Sequence, residues 1–82
     1  MTLESPEIFK TTDTATAAYL CVSNFKLLSI KTDNHQATFL FELSEPIKEA
    51  AHSFEIGTAI GNIGMFWRQY RKLLKEIREG NK

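Results

Sequence analysis

The sequence predicts a small α+β domain: a short antiparallel β-hairpin, with a third edge strand at Ile8–Lys10, covered by two to three helices, the last one long. Three observations predict it. The chain has 82 residues, which allows one domain. Apolar residues alternate with polar ones around Asp33-Asn34, a turn-forming pair. Before, after and at the end of that alternation the apolar spacing changes to i, i+3, i+4, i+7.

Residues 1–7 are polar, include Pro6 and read as a flexible arm, leaving residues 8–82 as the domain. Thr11, Thr12 and Asp13 offer oxygens to the free N–H groups of a first helical turn. Ala15, Ala18, Tyr19 and Val22 then share one face of a helix over about 13–22. Ser23-Asn24 ends it, because Asn tolerates the left-handed conformation found past helix ends.

From Phe25 the period becomes two, with Leu28 and Ile30 alternating with Ser29 and Lys31. The returning strand sets Ala37, Phe39, Phe41 and Leu43 against Thr38, Leu40 and Glu42. Ser44 is suited to cap a second helix with Glu45 and Pro46 in its first turn, where a missing N–H is harmless. That helix presents Ile47, Ala50, Ala51 and Phe54. Gly57, Gly61 and Gly64 then interrupt the chain, so residues 56–64 read as a loop. The last helix runs from Asn62 or Met65 to Glu79, with Ile63, Phe66, Tyr70, Leu73, Leu74 and Ile77 on one face. A hairpin alone is marginal in water, and this helix is its expected cover.

Ten basic and ten acidic residues cancel, so bulk charge points to no partner. The zero conceals a division. Residues 1–67 sum to −4 and residues 68–82 to +4. Arg68, Arg71, Lys72, Lys75 and Arg78 fall opposite the apolar face of the last helix and form a basic ridge. The plain reading is a solvated face that complements the helix dipole. The sharper one is contact with nucleic-acid phosphates or an acidic partner, with Trp67 stacking on a base or sealing a dimer.

The chemistry of catalysis is thin. Cys21 lies in the Ala-rich first helix and reads as a small buried thiol. His35 and His52 lack paired metal-ligand spacing. The glycines give G-x-x-x-G-x-x-G without a following Lys-Ser/Thr, which is neither a phosphate loop nor a dinucleotide fingerprint. Asp13 and Glu42 are explained by a cap and a strand face. No enzyme activity, cofactor or metal is expected. A single cysteine excludes an internal disulfide and sets a cytoplasmic compartment as the default. No signal peptide and no apolar run long enough for a membrane span are evident.

So small a core gains from burial against a second chain, so the expected partners are a homodimer mate or a larger protein. Phe66, Trp67 and Tyr70 are the candidate interface. The first expectation is an adaptor acting through self-association or docking. The second is a nucleic-acid-binding accessory using the ridge. The third is a small-ligand-binding oligomer whose loops 33–35 and 55–64 line an intersubunit pocket.

The segment Phe9-Lys10-Thr11-Thr12-Asp13, continuing into the Ala-rich stretch to Leu20, has a pattern of its own. Lys26-Leu27-Leu28, Phe39-Leu40-Phe41-Glu42, Phe54, Tyr70, Leu74-Lys75 and Ile77 extend it. Together they resemble a family of small bacterial and phage proteins catalogued only as a domain of unknown function. The likeness covers about residues 8–78. It departs at Asn24, where the family usually has Gly, and in the stretch 57–64. The resemblance implies a compact α+β unit carried on phages and mobile elements, with no assigned activity and no catalytic residues. That setting suggests host–phage conflict or nucleic-acid handling.

Overall fold

The computed structural model describes residues 7–33 and 36–80. Strand β1 (Ile8–Thr11) leads into helix α1 (Thr14–Val22), then β2 (Leu27–Asp33), β3 (Gln36–Glu42), α2 (Glu45–Glu55) and α3 (Ile63–Gly80). The strands form one antiparallel sheet in the order β1-β3-β2. The Asn34 turn position and His35 lie outside the described residues, as does the arm over residues 1–6. Glu7 is described, and its carbonyl accepts the Leu43 N–H at 2.9 Å, which extends the β1–β3 pairing.

Phe39 and Phe41 of the central strand are fully buried, and Leu40 between them is 9% exposed. Strand β2 departs from simple alternation. Leu27 pairs with Phe41 and Ser29 with Leu40, so Leu28 is the extra residue of a bulge. The bulge turns Leu27 and Ile30 toward the core and leaves Leu28 44% exposed, where alternation alone placed Leu28 with Ile30.

Helix α1 begins at Asp13, whose Oδ1 accepts the Ala15 N–H at 3.2 Å while Oδ2 accepts the Thr16 hydroxyl at 2.7 Å. It ends in a Schellman turn. Asn24 has φ 73°, its N–H reaches the Cys21 carbonyl at 3.1 Å, and the Phe25 N–H reaches the Leu20 carbonyl at 3.0 Å. Helix α2 is capped by Ser44, whose hydroxyl accepts the Ile47 N–H at 3.3 Å. It ends the same way, with Gly57 at φ 82° and the Thr58 N–H bonded to the Ser53 carbonyl at 2.9 Å. The first glycine of the expected loop is therefore a helix stop.

Helix α3 packs mainly on α1 and also meets β2 of the hairpin, and its Leu73 joins Phe39 and Phe41 in one core. Helix α1, between its two helical neighbours, has apolar side chains nearly all round. Ala17, Ala18 and Leu20 are fully buried, and Tyr19 and Cys21 pack against the same core. A helix without a polar face belongs in the middle. The small alanines also allow close approach. On α3, Leu73 is 1% exposed and Phe66, Tyr70 and Ile77 are half-buried, whereas Ile63 and Leu74 are exposed. No helix among the described residues is long and apolar enough to cross a membrane.

Candidate interaction surface

Five aromatic rings from three helices meet at the end of the molecule where α2 hands over to α3. Tyr19 of α1 stacks on Phe54 of α2, with centroids 5.1 Å apart. Phe54 lies 5.8 Å from Phe66, which in turn stacks on Tyr70 at 6.1 Å. Trp67 closes the group edge-on, 5.5 Å from Phe66 and 5.6 Å from Tyr70. These offset and edge-to-face geometries are the favoured ones for aromatic rings.

The three candidate interface residues are therefore not equivalent. Phe66 and Tyr70 are half-buried and hold α3 to its neighbours. Trp67 remains 51% exposed and is available to another molecule.

Beside the rings the connector leaves an open hollow of about 250 Å³, lined chiefly by Tyr19, Val22, Phe54, Ala59, Ile63 and Phe66. Two devices shape it. Gly57 turns the chain sharply away from α2, and Asn62 caps α3, its Oδ1 accepting the Met65 N–H at 2.9 Å. Between them Ile60 stands 91% exposed, and Ile56, Ile63 and Met65 are also at least half exposed. Gly57, Ala59, Gly61 and Asn62 of the connector line this hollow, while positions 34 and 35 of the other loop in the ligand-binding expectation lie outside the described residues.

All five ridge cations, Arg68, Arg71, Lys72, Lys75 and Arg78, are exposed on α3. Among the described residues none of them lies in an ion pair; the pair found is Lys48–Glu45 on α2 at 3.1 Å. Arg68 and Arg71 border a shallow hollow with Gly64, Trp67 and Tyr70. The Arg71 Nε donates to the Trp67 backbone carbonyl at 3.4 Å, one helical turn back. Cation and aromatic surface thus share one patch.

Cys21 faces this same helix from α1, half-buried near Met65, Arg68 and Gln69. Burial pushes its thiol above the ordinary value, Glu76 raises it further, and Lys72 opposes them. A thiol held protonated is a poor nucleophile. His52 is exposed on α2, and no cluster of three metal-ligand types occurs among the described residues.

Sequence reasoning missed Tyr19 and Phe54 as partners, and it missed Ile60. A signal was present. Ile56 and Ile60 are large apolar residues among glycines and polar residues, outside any burial periodicity.

The element order, the Phe-x-Thr-x-Asp opening on β1 and the cap, and the Leu-Lys helix at the end stand together in one fold. A family model, that of a domain of unknown function (DUF5659), matches residues 7–79. The chain belongs to this family. The DUF5659 match starts at the residue that joins β1 to the end of β3 and runs almost to the end of α3, so the family unit is the whole sheet-and-helix assembly. No curated protein and no solved structure matches the chain.

Proposed function

We propose that this DUF5659 chain is a small, non-enzymatic interaction module that works by self-association, with a second copy of the chain as its partner. One observation carries the reading. Between residues 56 and 67 five large apolar side chains, Ile56, Ile60, Ile63, Met65 and Trp67, are each at least 51% exposed. Such a grouping on a folded domain marks a contact surface. A second copy is favoured over an unrelated partner by charge. The chain is neutral overall, so two copies do not repel, and each brings an acidic and a basic part to the encounter. The phage and mobile-element setting implied by the family resemblance suits a small accessory part of this kind, acting in the cytoplasm.

Sedimentation velocity at micromolar concentration tests the reading. The expected mass is that of two chains, shifting toward one with Trp67→Ala. A single-chain mass across the concentration range refutes it.

A second reading rests on a separate observation, the unpaired ridge with an indole beside two guanidinium groups. It makes the chain a nucleic-acid accessory that holds phosphates through Arg68, Arg71, Lys72, Lys75 and Arg78. Its signature is a gel shift in about 50 mM salt that fades as salt rises. Arg71→Glu combined with Lys75→Glu abolishes that shift if the ridge is the contact; absence of any shift rules the reading out.

A further inference from the structure

We infer that self-association interlocks the α2–α3 connectors of two copies, Ile60 of each copy entering the apolar hollow beside Tyr19, Phe54 and Phe66 of the other. The inference rests on the self-association reading and names its contact.

Three features support it. First, knob and hole are neighbours on one surface. Ile60 is 91% exposed, while Ala59 and Gly61 on either side of it line the hollow. An isologous dimer needs such a self-complementary patch, because its two-fold axis brings each feature onto its counterpart in the second copy. An axis passing between Ile60 and the hollow makes both insertions at once.

Second, the sizes agree. Apolar cavities of roughly 150 Å³ accept a benzene ring. A hollow of about 250 Å³ walled by three aromatic rings, Val22, Ala59 and Ile63 has room for one isoleucine side chain. Leaving Ile60 in water forgoes the burial of nearly a whole side chain, and the chain's own fold offers it no cover.

Third, the rest of the exposed apolar group continues around the same place. Ile56 precedes the connector, while Ile63 and Met65 open α3. Glu55 directly precedes Ile56, and Arg68 lies near Met65; both are exposed and of opposite charge, so they can pair across a two-fold axis.

The structure also supplies a way to fill the hole from within. A Cβ built on Gly61 meets only Tyr19 Cε1, at 3.8 Å, an ordinary contact, and Gly61 does not need a positive φ. Gly61→Leu therefore occupies the hollow without straining the backbone, and Ile60→Ala removes the knob without touching the core.

The test compares the full chain and both variants by sedimentation velocity, with far-UV circular dichroism to show that each is folded. The expected result is a dimer for the parent chain and at least about tenfold weaker association for each variant, the size of loss typical of an interface anchor. An equimolar mixture of the two variants, one carrying a tag, regains part of the association, because the knob of the Gly61→Leu chain meets the open hole of the Ile60→Ala chain. A solvatochromic naphthalene sulfonate dye brightens with Ile60→Ala but not with the parent dimer. A parent chain that sediments as a monomer overturns the self-association reading and this inference with it. A parent dimer unaffected by either variant, or one that binds the dye as Ile60→Ala does, overturns the interlock alone.

Discussion

Tyr19 and Phe54 stack with their ring planes 20° apart and centroids at 5.1 Å, joining the middle of α1 to the last turn of α2. Phe54 also lies 5.8 Å from Phe66, so it is the ring that ties all three helices together.

Phe54→Ala therefore removes a wall of the hollow and two ring contacts together. The half-buried site sets the expected loss at about 2 kcal/mol, below the range for fully buried phenylalanines. Urea unfolding followed by Trp67 fluorescence checks it. Phe54→Leu, which keeps most of the apolar volume, recovers over half of the loss.

The Asp13 cap serves two donors, the Ala15 N–H and the Thr16 hydroxyl. Asp13→Ala is expected to cost about 1 kcal/mol, and Asp13→Asn much less, because the amide oxygen still accepts from Ala15. Thermal unfolding of the three proteins in parallel separates these outcomes.

Asn24 and Gly57 occupy the same left-handed position at the ends of α1 and α2. Gly57→Ala meets no atom within 4 Å, so its whole effect is the backbone penalty, about 1 kcal/mol of destabilisation. Asn24→Gly relaxes the same constraint at the other helix and is expected to leave stability unchanged or slightly raised, whereas Asn24→Ala lowers it by about 1 kcal/mol. Denaturant midpoints at constant slope are the measure.

Cys21 provides the pH test. Its folded thiol titrates above the ordinary range, so the folded chain holds that proton more tightly than the unfolded one. Stability is thus unaffected below the ordinary thiol range and falls as pH rises through the window between the unfolded and folded values. Alkylation by iodoacetamide at neutral pH should be slower than for the urea-unfolded chain and accelerate with rising pH. Glu76→Gln removes one of the raising influences and should quicken the reaction; Lys72→Gln should slow it.

The elements are legible in the sequence wherever a local rule governs them. Asp13 and Ser44 are caps, Asn24 is a left-handed stop, and Phe39 and Phe41 alternate as a buried strand must. What periodicity fails to reveal is which element sits in the middle. The Ala15-Ala18-Tyr19-Val22 spacing suggests one apolar face, yet burial extends to Ala17 and Leu20 because no side of α1 is strongly polar. Helix α1 lies between α2 and α3, and the 18-residue α3 meets this 9-residue helix over only part of its length; Ile63 and Leu74, both on the predicted stripe, are exposed.

Leu28 escapes its predicted face for a different reason. Alternation is broken by a single inserted residue, and a bulge has no composition of its own. For the surface, the cationic ridge is readable because charges at helical spacing need only the helix to exist. The hollow is not, since it is made by Tyr19, Phe54 and Phe66, three residues far apart in the chain that meet only once the helices pack.

The strand order has a consequence for synthesis on the ribosome. β1 emerges before its sheet neighbours, but its seat is the edge of β3, and Ile8 pairs with Glu42 while Thr11 pairs with Phe39. Nothing can receive the opening strand until the hairpin behind it has been translated, so the apolar residues of α1, too short a segment to hold a helix alone, stay unsheltered until Phe39 to Glu42 have been made. That pairing is the long-range contact of the kind that slows folding.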